Sequence, residues 1–285
     1  MRALEWLQYH PLVIGPLLAG RFLRAHGRLP RLFAPETFNE KVLHRLLFDR
    51  RPVLTRLAGK LEVRDYALER TGDAGLTVPL VGSARDAAEL AALRLPPAFI
   101  MKPNHLSGYS HIHKGPQAPD IAALGATCAA WTARAGRTEW PYAGVRRTVV
   151  IEPLMLDEGR VPCDYKLYCY AGVPRFIQVS TGRFDPGGPR YDLFLPDWTW
   201  LDWRIYARNA EVRPERPERP ALLEELVAVA ARLSAGLDFV RVDLYAYGGR
   251  VLLGEMTTVP NRGTLWLDPP EVDATLGAPW RIVTI

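Results

Sequence analysis

The chain has 285 residues, 48% of them hydrophobic and 24% charged, and carries a formal net charge of +5 at pH 7. That balance fits a globular protein of one large or two small domains, and the basic excess suits phosphorylated or acidic substrates. Arg50-Arg51 and Arg146-Arg147 are too short to make a nucleic-acid surface, which needs larger basic clusters with interleaved aromatics.

From the N-terminus, Trp6–Leu23 is apolar but broken by His10, Pro11 and Pro16, too short and too interrupted to span a bilayer. It lacks the basic, apolar, small-residue order of a secretory signal. Two readings stand: a helix packed on the main domain, or an amphipathic anchor giving peripheral membrane association, with Arg21, Arg24 and Arg28 at its edge. Residues 1–59 as a whole read as a helical extension.

Residues 60–150 alternate short apolar strands with Ala-rich helical runs near Asp86–Leu93 and Ile121–Arg134, the pattern of a small αβ unit. Only five of the 36 basic side chains are lysines, so each lysine is worth placing. Lys60 opens a segment after a candidate helix end at Gly59. Lys102 ends the apolar run 98–101 and is followed by the loop Pro103–Gly108. A strand would thus deliver an ammonium, a compact charge suited to phosphate oxygens, to a loop whose backbone N–H groups could cradle phosphate. His105, His111 and His113 are read as part of that loop rather than as a metal cluster. The apolar strand 148–152 ends at Glu152 and runs on through Leu154, offering a carboxylate and unpaired backbone groups to a planar base.

Residues 151–285 read as a second unit. In the strand Asp164–Tyr170, Lys166 shares a face with Asp164 and Tyr168. Arg183 and Arg190 flank a Gly-Gly turn and are candidates to read a substrate phosphate or carboxylate. Three tryptophans between Trp198 and Trp203 suit either a stacked sugar or core packing, with packing the preferred reading. The run 214–220, PERPERP, is a linker, and Leu222–Leu237 has apolar residues at helical spacing. Cys128, Cys163 and Cys169 are odd in number and lack metal spacing, as expected of reduced thiols in the cytoplasm.

The last segment, Phe239–Arg262, reads as a hairpin turning at Gly248-Gly249. Arg241, Asp243 and Tyr245 share one face, Val242, Leu244 and Ala246 the other, with Leu252 and Met256 expected to continue the apolar face. A plain two-residue loop would pair Asp243 with Gly254. A three-residue loop or one bulge pairs it with Glu255, and that register is the one expected. Two opposed carboxylates need a positive partner, either Arg241 or a bound Mg²⁺.

The ordered set KLEVRDY (60–66), FIMKPNHLSG (99–108), VVIEPLM (149–155), DYKLYCY (164–170) and FVRVDLYAYGGRVLLGEMTTVP (239–260) resembles the ATP-grasp superfamily, most closely the TupA-like ATP-grasp family of teichuronopeptide type. The resemblance implies an α/β (α+β) fold in which two αβ subdomains clasp ATP: 1–59 as extension, 60–150 as lid, 151–285 as the central subdomain. It implies Lys60 and Lys102 on the phosphates, Asn104, Ser107 and Gly108 in the phosphate cover, and Glu152 with Leu154 at the adenine hinge. Asp164 would meet the ribose, with Lys166 beside it. Asp243 and Glu255 would hold Mg²⁺, and Arg241 would steady the reacting acyl phosphate. The usual Glu-x-Asn becomes Glu255-Met256-Thr257 here, so Asn261 is the candidate third ligand if the chain doubles back after Pro260.

The implied chemistry is ATP- and Mg²⁺-dependent joining of a small-molecule or glycan carboxylate to an amine, in cell-surface polysaccharide or glycoconjugate biosynthesis, in the cytoplasm, with the inner face of the membrane as an alternative location. Alternatives are a kinase on the same fold, a non-catalytic nucleotide-binding protein and, less so, a glycosyltransferase. No Gly-x-Ser-x-Gly elbow, Gly-x-x-x-x-Gly-Lys loop or Gly-x-Gly-x-x-Gly run is present.

Overall fold

A computed structural model describes residues 7–136, 138–157, 159–182, 188–206 and 216–283. Among the described residues α1 (Pro11–His26), α2 (Phe38–Phe48), α3 (Pro52–Ala58) and α4 (Glu62–Thr71) precede the first strand. Thr37 and Glu40 close a reciprocal capping box at the start of α2, each satisfying a backbone N–H that the first turn leaves open. The lid follows as β1 (Gly82–Ala84), α5 (Ala87–Ala91), β2 (Phe99–Pro103), β3 (His111–His113), α6 (Ile121–Ala133) and, after a 3₁₀ turn at Trp140–Gly144, β4 (Val149–Pro153). Its four strands form an antiparallel sheet in the order β1-β4-β2-β3.

Beyond the lid come β5 (Asp164–Tyr170), β6 (Val173–Thr181), β7 (Arg190–Phe194), β8 (Trp200–Leu201) and β9 (Arg204–Ile205). Then follow α7 (Leu223–Ser234), β10 (Phe239–Tyr247), β11 (Arg250–Thr257), β12 (Leu267–Asp268) and α8 (Val272–Gly277). Six of these strands form the second sheet, ordered β11-β10-β5-β6-β7-β8, while β9 and β12 pair with each other. The expected mixed α/β class is thus observed, with both large sheets antiparallel. Residues 76–78 bond to Leu253 on the edge strand β11, with Leu253 N–H donating to Leu76 O at 2.7 Å and Val78 N–H to Leu253 O at 3.3 Å. They cover an edge that would otherwise present open backbone groups.

Period-2 alternation sorts the six-stranded sheet into two faces. Leu167, Cys169, Val240, Val242 and Leu244 face α7, whose Leu226, Val229, Ala230 and Leu233 are buried against them. Tyr168, Tyr170 and Phe239 face the other way, onto α2 and the C-terminal segment. Along that second face Arg241 and Asp243 continue beyond the cover of α2, and that end is the floor of the site. In the lid, Phe99, Met101, Val149 and Ile151 pack on α5 and α6, which leaves Ile100, Lys102 and Glu152 on the opposite face.

Two divisions expected from the sequence fall inside packed units. Leu57, Val63, Tyr66 and Ala67 of α3 and α4 lie in the core of the six-stranded sheet, while Lys60, Leu61 and Glu62 bond to the lid, so the 59/60 division runs through one packed unit. The 150/151 division cuts through β4, a strand of the lid sheet.

The closest approach in the lid is at Gly125 of α6, where an added Cβ would fall 2.3 Å from the Ala87 Cβ and 2.4 Å from its Cα. Gly125→Ala therefore has to push α5 away. We expect a loss of about 1–3 kcal/mol despite the gain in helix propensity, read as a lowered melting temperature. An unchanged one would show that α5 yields freely.

Of the tryptophans read as a sugar platform or packing, Trp198 stacks on Phe194 at 4.2 Å and Trp203 packs on Phe176, the packing alternative. The helix expected at 222–237 is α7. The described part of the proline-rich linker, 216–220, has no regular structure, and 214 and 215 lie outside the described residues. No helix among the described residues is long and apolar enough to cross a membrane. The three cysteines form no disulfide.

Candidate active site

The hairpin β10–β11 pairs Asp243 with Glu255, and Leu244 with Leu253, leaving Gly254 as the extra residue of a bulge. The turn is the two-residue Gly248-Gly249, both left-handed at φ +59° and +72°. The register expected from the sequence is the one formed. One detail is corrected: the bulge reverses the alternation, so Leu253, not Leu252, shares the core face with Met256.

Asp243 is 2% exposed and is held by two cations. Arg241 donates to it twice, Nε to Oδ1 at 2.7 Å and Nη2 to Oδ2 at 2.6 Å. Lys166, opposite it on β5, donates to Oδ2 at 2.6 Å and also pairs with Asp164. Arg241 Nη2 reaches Thr257 Oγ1 at 3.1 Å and Glu255 Oε1 at 3.4 Å. The Glu255 side chain is 47% exposed, toward the cavity. Burial pushes the Asp243 carboxyl up to about 6, against the pull of Arg241 and Lys166 and with the Glu255 charge adding to the rise. For the half-exposed Glu255, partial desolvation is outweighed by Lys166, Arg241 and Lys60, which hold it below the usual carboxylate range.

Above this floor the lid contributes Lys102, whose Nζ donates to Glu152 Oε2 at 2.7 Å, while Arg64 of α4 lies 3.6 Å from Glu152 Oε1. Lys60 donates to the carbonyls of Pro103 and Leu106, both at 3.0 Å, pinning the base of the loop between β2 and β3. An ammonium has three N–H donors, so one remains. Lys60, Lys102, Ser107, Gly108, Glu152 and Leu154 line one cavity of about 230 Å³ with Asp164, Asp243 and Glu255. Its apolar walls are Val78, Ile100, Met155 and Val161. A second cavity of about 580 Å³ is lined by Arg241, Lys166, Thr257 and Asn261, and shares Ser107, Gly108, Asp164 and Glu255 with the first. Glu255 and Asp164 line both spaces, while Asp243 lines the first.

Two expectations need correction. Asn104 is fully buried and lines neither cavity. Its amide donates to Glu62 Oε2 and the Arg146 carbonyl, and its oxygen accepts from Leu61 N–H, so it ties α4 to the lid and has nothing to spare for phosphate. Leu154 lines the first cavity, but its N–H, expected to be open to a planar base, already donates to the Ala98 carbonyl at 3.1 Å. Arg183 lies outside the described residues. The three histidines make no metal cluster: His105 is buried against the Arg134 carbonyl, His113 stacks on Phe99, and the described residues contain no group of three His, Cys, Asp or Glu that could hold an ion.

After Pro260 the chain does double back. Asn261 and Arg262 are left-handed, at φ +47° and +56°, and Asn261 lines the second cavity with Glu255 and Thr257. Two adjacent non-glycine residues in that region store strain. Arg262 faces Glu139 at 3.3 Å, and Glu139 also accepts from Ser107 Oγ. Glu139, Tyr142, Tyr206 and Arg262 are wall residues that sequence reasoning missed. They come from connections with no periodicity to mark them.

A family model for TupA-like ATPgrasp matches residues 40–281. The chain belongs to the TupA-like ATPgrasp family. No curated protein matches it in sequence. Solved structures similar to this TupA-like ATPgrasp chain include D-alanine-D-alanine ligase from Helicobacter pylori, at 16% identity and TM-score 0.46, over 80% of this chain and 60% of that one. The Bacillus anthracis D-alanine–D-alanine ligase complexed with ATP is 16% identical at TM-score 0.41, over 73% of this chain and 57% of that one. N5-carboxyaminoimidazole ribonucleotide synthetase from Thermus thermophilus is 15% identical at TM-score 0.42, over 77% and 52%. The TupA-like ATPgrasp chain thus spans half to three-fifths of the lengths of these structures.

Proposed function

We propose that this protein is an ATP- and Mg²⁺-dependent ligase that joins a carboxylate to an amine through an acyl phosphate, on a cell-surface polysaccharide or glycoconjugate substrate in the cytoplasm. The observation that carries this reading is the junction. A cavity with two lysines and apolar walls meets a second cavity with Arg241 and Lys166, and Glu255, paired with Asp243 of the first cavity, lines both.

The apolar walls suit an adenine ring, with Lys102 and the remaining donor of Lys60 facing phosphate oxygens. Ser107 and Gly108 of the β2–β3 loop border both cavities and suit a phosphate cover. Asp164 stands where a ribose would pass, and Lys166 keeps Asp243 charge-balanced. The donor set fits Mg²⁺: two carboxylates face each other, one half exposed, and this ion takes one or two carboxylates with the rest from phosphate and water. Asn261, which lines the second cavity with Glu255, is the candidate for a further oxygen. When bound, Mg²⁺ would neutralise phosphate charge. A substrate carboxylate oxygen attacks the γ-phosphorus and ADP leaves. The amine nitrogen then attacks the acyl carbon, loses a proton and expels phosphate. Arg241 would steady the charge on the acyl phosphate and on the tetrahedral carbon, so catalysis is positioning plus electrostatics.

The test is calorimetric titration with a non-hydrolysable ATP analogue, with and without Mg²⁺. Asp243→Ala would strand two buried cations and confuse folding with binding, so the variant of choice is Glu255→Gln at the half-exposed carboxylate. We expect Mg²⁺ to tighten wild-type binding about tenfold or more and Glu255→Gln to lose most of that gain. Binding that ignores Mg²⁺ in both proteins would remove the metal assignment. Phosphate released together with an amide would identify the ligase, whereas a phosphate ester would make it a kinase.

A further inference from the structure

A third cavity, of about 600 Å³, opens beside the second and shares Ser107, Glu139, Tyr142 and Arg262 with it. Its charge is one-sided. Arg21 and Arg24 come from α1, Arg134 from the end of α6 and Arg262 from the strained turn after β11, against the single carboxylate of Glu139. Glu139 is engaged by Arg262. Arg134 lies over the Tyr109 ring at 5.2 Å, and Arg21, Arg24 and Arg134 make no ion pair with a carboxylate among the described residues. Unpaired guanidinium groups converging from separate chain segments on one concave space are the arrangement that recognises carboxylate or phosphate, because the planar fork donates two parallel hydrogen bonds. A cavity of this size is in the range that encloses a ligand segment. Left-handed backbone at Arg262 fixes the residue that separates this space from the reaction cavity.

We propose that the outer cavity is the binding site for an anionic chain: an acceptor bearing repeated carboxylates or phosphates, whose reacting end passes Arg262 and Glu139 to reach Arg241. This deepens the ligase reading, resting on it for the fate of the reacting end and on the arginines alone for the anionic class. Helix α1 then serves as a wall of the acceptor site, with Ile14, Leu18 and Phe22 packed on the core and Arg21 and Arg24 turned to the cavity.

The experiment titrates fluorescein-labelled tetragalacturonate, with short-chain polyphosphate as the phosphate-bearing competitor and maltotetraose as the neutral one. Expected results are salt-weakened binding to wild type, displacement by polyphosphate but not by maltotetraose, and at least tenfold weaker binding by Arg21→Ala/Arg24→Ala. Arg232→Ala, on the exposed side of α7, should bind as wild type. Stronger displacement by polyphosphate than by unlabelled tetragalacturonate would make phosphate the preferred group within the proposal. Wild-type affinity in the double variant, or an equal loss in Arg232→Ala, overturns it. So does a protein that ignores both anionic oligomers yet sediments with phosphatidylglycerol vesicles through Arg21 and Arg24, which would assign these arginines to a lipid surface. The ATP analogue is titrated into the same samples. Its retention in the double variant separates acceptor binding from nucleotide binding, and its failure in wild type would count against the ligase reading alone.

Discussion

Replacing Arg45 by methionine should lower stability by about 3–5 kcal/mol, seen as a fall in the urea midpoint at unchanged slope. Arg45 is 2% exposed and is the hub between α2 and the start of β10. Its Nη1 donates to the carbonyls of Phe239 and Thr258, both at 2.9 Å, and its Nη2 to Asp238 Oδ2 at 2.7 Å. The guanidinium also lies 4.3 Å from the centroid of the Trp280 ring, whose own N–H donates to Asp238 at 3.0 Å. Methionine fills the volume but leaves two buried carbonyls without their donor. Burial would raise the Asp238 carboxyl, yet Arg45, Trp280 and Arg51 together hold it below the usual range. A depressed carboxylate contributes its stability above the unfolded value, about pH 4, and loses it as acid carries the pH down through the lower folded value. Arg45→Met should therefore also move the onset of acid unfolding to higher pH. Arg85→Met, which removes an exposed pair with Glu89, serves as the control and should leave the midpoint unchanged. If the two variants behave alike, Arg45 is not the hub described.

The second large effect concerns Lys102. On the proposed reading its ammonium, held toward the cavity by Glu152, is the main lid cation facing the nucleotide phosphates. Lys102→Met should weaken the ATP analogue about 30- to 100-fold, or about 2–3 kcal/mol, the size of a lost charge-assisted hydrogen bond. Arg64 remains 3.6 Å from Glu152, so that carboxylate keeps a partner and the melting temperature should barely move. Calorimetry and thermal denaturation on one preparation separate the two. Full affinity in the variant would take Lys102 out of the site.

Residues that alternate along a strand were legible in the sequence; residues placed by long-range ties were not. Phe239–Thr257 could be read to its register, because side chains alternate and two glycines fix the turn. Lys102 and Lys166 were placed correctly on strands for the same reason. Asn104 looked like a loop residue because it follows Lys102-Pro103. Its role is set by Glu62 and Arg146, each 42 residues away along the chain, a pairing no local pattern announces. Glu139 and Arg262 meet across 123 residues. The one phase error, Leu252 for Leu253, arose because a bulge resets the alternation at a residue that only the partner strand can choose.

The core under α2 carries a consequence for how the chain is made. Phe38, Val42 and Leu46 near the front are covered by Leu276 and Trp280 at the far end, and Asn39 bonds to Leu265 and Asp273. At roughly 5–20 residues per second, synthesis leaves that apolar face waiting on the order of ten seconds to a minute for its cover. Until then α2 is an amphipathic helix with an open greasy side, the kind of surface that chaperones hold. The helical turn that carries Leu276 therefore sets when this face is covered.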